Sequence, residues 1–399
     1  MNIAQLIQRN YGSALACLIK RLGDIQIAED SLQEACIAAL QHWQIDLPDK
    51  PDAWLIKVAT NKSIDYFRKY KPHLTEQITT QNIASNKSQN NYEFDDAVLS
   101  IIFICCHPSI SPENQLAITL KFAMGFHQRD IAKTLLISEK SLEQRITRTK
   151  RRMKANQLDL SLPAPSKLSE RLSTVIKNLY LIFNEGYHIN TGNQLISIQI
   201  CEQAILMTRL LCRHYRQQPE CLALLSLMLF SHARSEARDQ KHFISLEEQD
   251  RSLYNKSAIN EADILLQKSL LMGNVSTYHI EAAISGLHSQ ANNYLATDWQ
   301  QICLLYEKLL TYHNSPVIQV NRAVAYMMLK RIDLAETILN AVTESLEEYL
   351  PYYAACAKLH LIKGDIKQAI RAYKKAVALS HNQIEIDYFQ TKIRKLNHD

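Results

Sequence analysis

The chain has 399 residues and a formal charge of +5, and glycine and proline together fill only 18 positions, roughly a third of the ~12% usual in globular proteins. So little glycine excludes Gly-rich phosphate loops, dinucleotide-binding turns and turn-dense β architectures, which need positive φ or close backbone approach. What remains is an all-α fold, with 47% apolar and 21% charged residues to build its cores. Nine cysteines, scattered and without a CxxC pair, point to a reduced chain in the cytoplasm. The longest apolar runs, 98–106 and 221–230, fall short of the ~18 residues of a membrane span. Arg9 interrupts the N-terminus before a signal-peptide core develops, so no membrane role is expected.

In chain order, 24–40 sets Ile25, Ala28, Leu32, Ala35, Cys36 and Ala39 on one stripe, with Glu29, Asp30, Gln33 and Glu34 opposite, the pattern of an amphipathic helix. Prolines 48 and 51 break the chain. A second helix is predicted over 51–70, with Pro at its first turn and Pro72 beyond its end. Its core stripe would be Trp54, Leu55, Val58 and Ile64, and Asn61, Lys62, Asp65, Arg68, Lys69 and Lys71 would face out. Polar residues 73–91 read as a flexible linker. Helices are then predicted over 95–106 and 112–122. A tight pair follows over 128–136 and 139–154, and a second linker over 157–167.

From residue 168 the pattern is helix after helix. Near the C-terminus Ala323 and Ala357, Ala335 and Ala369, Leu339 and Tyr373, and Val342 and Ala376 recur at a spacing of 34. Small and aromatic knobs at this period resemble tetratricopeptide (TPR) repeats, here capping a larger helical array.

The charge is unevenly spread. Residues 1–155 carry 20 Lys/Arg against 16 Asp/Glu, and seven bases stand against one acid between Lys140 and Lys154. A basic run by itself describes a solvated helix face as well as a nucleic-acid footprint. Its context is a helix-turn-helix spacing: Ile131, Ala132 and Leu135 turn inward, Ser138 caps the second helix, and Leu142, Ile146 and Met153 form its inner stripe. The outer face presents Lys140, Ser141, Gln144, Arg145, Arg148 and Arg152. A helix carrying such a face reads base edges with its N-terminal residues while its basic tail holds phosphates.

Four stretches carry a family resemblance: GDIQIAEDSLQEACIAALQHW (23–43), PDAWLIKVATNKSIDYFRK (51–69), FICCHPSISPENQLAITLKFAMGF (103–126) and RDIAKTLLISEKSLEQRITRTKRRM (129–153). The chain resembles bacterial sigma-70 family RNA polymerase sigma factors of the extracytoplasmic-function (ECF) type, in the group with a C-terminal TPR-like extension. YLIFNEGYH (180–188), LEEQDRSLYN (246–255), TDWQQICLLYEKL (297–309) and SPVIQVNRAVA (315–325) match that extension.

The resemblance implies a sigma region 2 bundle over 1–71, a linker over 72–92 and a sigma region 4 helix-turn-helix domain over 93–155. A linker over 156–167 and a TPR-like regulatory domain over 168–399 would follow. Glu29, Asp30, Gln33 and Glu34 would bind core RNA polymerase. Asn61, Lys62, Asp65, Arg68 and Lys69 would contact the −10 promoter DNA. Lys140, Ser141, Gln144, Arg145, Arg148 and Arg152 would read the −35 element. The extension would gate transcription initiation through a protein or small ligand in its groove.

No catalytic role is expected: neither a Ser/His/Asp order nor paired carboxylates stand out, and no metal or other cofactor is implied. Cys105-Cys106-His107 resembles half a metal site, yet adjacent cysteines serve one tetrahedral ion poorly, and the reading favours core thiols with a capping histidine. Glu185 with His188, and Asp250-Arg251, read as buried salt links rather than reactive groups. Asp298-Trp299 reads as a helix N-cap before a core aromatic, and Trp43 and Trp54 as core before stacking groups. Two other readings remain open at this point: a TPR-type interaction scaffold or ligand-sensing protein, and a conventional helix-turn-helix regulator that binds duplex DNA without polymerase.

Overall fold

The computed structural model describes residues 3–70, 91–156, 163, 165–187, 191–192, 197–238 and 242–398. Among them the chain forms eighteen α-helices and a single two-residue parallel strand pair, so the fold is all-α. It divides into two compact units, 1–182 and 183–399. Most of the two expected linkers, and Lys71, lie outside the described residues.

The first unit opens with α1 (Ile3–Leu22), α2 (Ile25–His42) and α3 (Pro51–Tyr70), packed on one another. Gly23 turns the chain at φ +66, and Asp24 then caps α2, its carboxylate accepting from Gln26 N at 2.9 Å and Ile27 N at 3.2 Å. On α3 the core face is Leu55, Ile56, Ala59, Thr60, Ser63 and Phe67. Trp54, Val58 and Ile64 are half-buried, so the stripe is rotated from the one the periodicity suggested. Trp43 is buried, and its ring meets Trp54 edge-on at 5.5 Å. These indoles pack as core.

Helix α4 (Asn91–Cys105) lies against α1. Cys105 and Cys106 are buried, where desolvation pushes the Cys106 thiol up to about 12. His107 Nδ1 lies 2.8 Å from the Ser109 hydroxyl and accepts from Ser109 N at 3.2 Å, a local turn cap. The single helix expected over 112–122 is two pieces: α5 (Pro112–Ile118) and a π-helical turn, Thr119–Ala123. The wider turn brings the backbone against α1, where a Cβ at Gly12 would overlap the Ala123 carbonyl oxygen. Only glycine permits that approach.

Next come α6 (Gln128–Thr134) and α7 (Glu139–Ala155), joined through Leu136 at φ +54. Helix α8 (Pro165–Tyr187) follows, and the boundary between units falls inside it. Its first turns are fixed to the first unit by Arg171 Nη2, which donates to the Phe103 carbonyl. Asn178 Nδ2, further along, donates to Thr119 Oγ1 at 2.8 Å.

The second unit holds α9 (Ile198–His214), α10 (Pro219–His232), α11 (Lys256–Leu271), α12 (Thr277–Gln290), α13 (Trp299–Tyr312), α14 (Pro316–Met328), α15 (Ile332–Ala341), α16 (Leu350–Ile362), α17 (Ile366–Leu379) and α18 (Gln383–His398). Asp298 caps α13, accepting from Gln301 N at 2.9 Å, and Trp299 enters the core as expected. Arg251 is buried, but its partners are the carbonyls of His288 and Ala291 at the end of α12. It satisfies a helix C-terminus, where the expectation was a salt link. Glu185 is half-buried with its carboxyl pushed up by burial, and no cation among the described residues pairs with it. His188 lies outside the described residues.

Helices α14 and α15 start 34 residues before α16 and α17. All four residue pairs found at that spacing are buried. The turn inside each pair uses one left-handed residue, Lys330 (φ +59) and Gly364 (φ +77). An L side chain there costs about 1–2 kcal/mol, so Lys330→Gly is expected to stabilise the chain by about 0.5–1 kcal/mol after roughly 0.4–1 kcal/mol for the unfolded-state entropy of glycine is deducted. Chemical denaturation of the full-length pair of proteins measures this.

His288 faces the Trp299 ring at 5.3 Å. Burial, then the nearby Arg234 and Arg251, push its pKa down to about 3. It stays neutral in the fold, while the unfolded chain takes up its proton below about 6.5, so stability is lost as pH falls from 6.5 towards 3. His288→Phe is expected to reduce the drop in urea midpoint between pH 7 and pH 5; an unchanged drop rules this source out.

Candidate polymerase and nucleic-acid interface

Helix α7 divides its basic residues between two tasks. Ser138 caps it, accepting from Ser141 N at 3.1 Å, and Leu142, Ile146, Thr149 and Met153 form its buried face. With Ile131 and Ala132 of α6 also buried and Leu135 half-buried, the inner faces of this helix pair are nearly those its sequence predicts. Lys140, Gln144, Arg148 and Arg152 are exposed, and Ser141 and Arg145 half-buried. None of the four cations in that set has a carboxylate within ion-pair distance among the described residues. Spaced at i, i+4, i+8 and i+12, Lys140, Gln144, Arg148 and Arg152 run along one side of the helix.

Lys150 and Lys154 of the same helix turn the other way. Lys150 Nζ donates to Gln26 Oε1 at 3.0 Å and to Glu29 Oε2, and Lys154 lies 3.5 Å from Asp24. Lys121, carried by the π turn, reaches Glu29 Oε1 at 3.2 Å. Glu29 is 6% exposed and Lys121 9%. Burial by itself would raise the Glu29 pKa, but Lys121 and Lys150 together pull it below the ordinary carboxylate value.

Glu29 therefore faces inward, whereas its helical position set it on the solvent side of α2. The reason is tertiary: at the start of α2 the π turn and α7 bring Lys121 and Lys150 against Glu29. Asp30, Gln33 and Glu34 remain exposed. The triad was missed in the sequence, although Lys121, alone in the apolar run LKFAM, needs a carboxylate if buried.

On α3, Asn61, Lys62, Asp65, Arg68 and Lys69 are all exposed. Lys62 lies 3.4 Å from Glu34, and Arg68 lies 3.9 Å from Asp65, both open to solvent. Tyr66 and Tyr70 stand among them, 41% and 60% exposed, with ring centroids 5.0 Å apart and Lys69 Nζ 5.2 Å over the Tyr70 ring. Exposed rings interleaved with cations suit unpaired bases. Their i, i+4 spacing within the basic face was the available signal.

Residues 6–72 match the Sigma-70 region 2 family, and residues 171–270 match a family of unknown function, DUF6596. An uncharacterized protein of Rhizobium meliloti is 33% identical over 393 residues, covering 96% of this chain and 93% of that protein. The ECF RNA polymerase sigma factor SigM of Bacillus subtilis is 27% identical over 157 residues, 39% of this chain and 94% of SigM. The chain thus shares its family, across almost its whole length, with the Rhizobium protein. Its residues 6–72 carry a Sigma-70 region 2 domain, and that domain together with the SigM alignment supports a sigma-70 family factor.

Proposed function

We propose that the chain is an ECF-type sigma factor that binds core RNA polymerase and directs transcription initiation at promoters. Region 2, residues 1–71, docks on polymerase through Asp30, Gln33 and Glu34, with Glu29 joining them when its lysine pairs open. The exposed face of α3, Asn61 to Tyr70, takes the −10 strand. The helix-turn-helix domain over 93–155 reads the −35 element with Lys140, Ser141, Gln144, Arg145, Arg148 and Arg152. The array over 168–399 is TPR-like and regulates the factor. The expected linker over 72–92 joins the two DNA-reading parts, and the one over 156–167 leads from the second of them to the array.

The observation that carries this reading is the cationic side of α7, without carboxylate partners among the described residues while the other lysines of the same helix are neutralised. Surface cations kept apart from available acids suit phosphates. The alignment to SigM leaves more than half of this chain without a counterpart in that protein, which supports a separate task for the extension.

The test is run-off transcription with purified bacterial core polymerase on genomic fragments. Full-length protein is compared with a truncation after residue 187, which keeps Arg171 and Asn178 on their partners. Discrete start sites with the full chain are expected. Absence of polymerase binding and of specific transcripts from both proteins would return the chain to the scaffold reading.

A further inference from the structure

The second unit holds a partly open cavity of about 940 Å³, at the upper end of the range for small-molecule sites. One wall is apolar and aromatic: Leu350, Ala354 and Leu361 of α16, Tyr373 of α17 and Phe389 of α18. A strap from the motif LEEQDRSLYN crosses it. Glu247 lies 2.9 Å from Lys358 and Glu248 lies 2.9 Å from Lys392, while the Phe243 ring packs on Tyr388 at 4.7 Å. The strap's own glutamates thus neutralise both lysines of the cavity.

Two cations of the lining remain. The Arg238 guanidinium sits 4.2 Å over the Tyr187 ring and donates to the Tyr187 carbonyl at 3.0 Å. Arg234 Nη2 makes a long 3.4 Å contact to the Ser285 hydroxyl, and its Nε is buried without a partner. Neither pairs with a carboxylate among the described residues. Partly desolvated guanidinium groups are stabilised by a counter-anion, and a planar fork with five donors matches a carboxylate.

We propose that this cavity binds a small organic carboxylate, its anionic end on Arg234 and Arg238 and its hydrocarbon or aromatic body against Ala354, Leu361 and Phe389. A free inorganic anion would leave the apolar wall uncovered, and a neutral apolar molecule would leave the two guanidinium groups unanswered. The proposal deepens the regulatory reading of the array by naming its ligand chemistry. Binding is measured without transcription, so the two can fail separately.

The experiment is calorimetric titration of the full-length protein with benzoate, 4-hydroxybenzoate, hexanoate and octanoate. The uncharged amide of each acid and inorganic phosphate serve as comparisons. At least one carboxylate is expected to bind, with its amide and phosphate at least tenfold weaker. Arg234→Gln and Arg238→Gln are each expected to weaken it tenfold or more, and Ala354→Trp, which fills the cavity from its apolar wall, to abolish it. Circular dichroism confirms that each variant is folded, and the carboxylate–amide comparison on the unmodified chain stands even where an arginine variant fails to fold. The proposal is overturned if no acid of the series binds, if acid and amide bind equally, or if folded arginine variants bind as well as the parent. Binding that leaves run-off transcription unchanged would remove the regulatory reading and leave the site standing.

Discussion

Glu29→Gln is expected to destabilise the first unit by about 2–4 kcal/mol, somewhat below the 3–5 typical of breaking a buried ion pair because Lys150 retains a path to water. The substitution keeps the shape of the side chain and removes the charge that Lys121 and Lys150 share. Both ammonium groups then lose their counter-charge, and one of them meets the amide NH2 in place of an accepting oxygen, where water reaches them poorly. Hydrogen exchange on the full-length protein locates the effect: amides of α2, the π turn and α7 should lose protection, while α9–α18 keep theirs.

The pH dependence has a definite sign. Glu29 has a folded pKa below its ordinary value, so its contribution is complete above the unfolded carboxylate pKa and is lost as pH falls through the folded one. Glu29→Gln should therefore narrow the stability difference from the parent in acid. A difference that stays constant from pH 7 to pH 3 would assign the loss to shape alone.

The double variant Glu29→Met with Lys121→Met replaces charges by apolar volume and should recover most of the stability. It also separates folding from docking. A folded double variant that binds core polymerase as well as the parent would confine Glu29 to structure; weaker binding would return it to the docking face with Asp30, Gln33 and Glu34.

The second large effect concerns the exposed side of α7. The triple substitution of Lys140, Arg148 and Arg152 by alanine removes three cations without touching Leu142, Ile146, Thr149 or Met153 of the buried face. If each cation holds one phosphate, the slope of log affinity against log salt should flatten by about 2.7, at about 0.9 per contact. Affinity of the polymerase-bound factor for promoter DNA then falls on the order of 10²-fold at 0.1 M salt. The thermal midpoint should hardly move, since exposed residues of this kind contribute within about 0.5 kcal/mol. Gln144→Ala, by contrast, should weaken only promoters with the preferred −35 sequence and leave the salt slope intact, because an amide reads bases and releases no counterion. An unaltered slope in the triple variant would mean that this side of the helix does not face DNA.

Much of the architecture was legible because it depends on local periodicity and short-range caps. The apolar period of α2, the Ser138 cap of α7, the Asp298 cap of α13 and the 34-residue recurrence of alanines each involve residues within a few turns or one repeat. Their burial then follows from the same stripe. The exposed side of α7 was legible for the same reason, since a helix that buries Leu142, Ile146 and Met153 must present Lys140, Gln144 and Arg148 on its other side.

What the tertiary structure alone decided is where one helix covers another. Periodicity sets Glu29 opposite the apolar stripe and says nothing of a second covering layer, so only packing reveals that the π turn and α7 bury it against Lys121 and Lys150. Arg251 stands next to Asp250 in the sequence, yet its partners are carbonyls 37 and 40 residues away. The cavity of the second unit is more remote still. Its strap is held by Glu247 on Lys358 and Glu248 on Lys392, pairs separated by 111 and 144 residues. Helical propensity and amphipathic period are properties of neighbouring residues; neutralising a buried charge, and leaving Arg234 and Arg238 without a carboxylate among the described residues, depend on which distant segments meet.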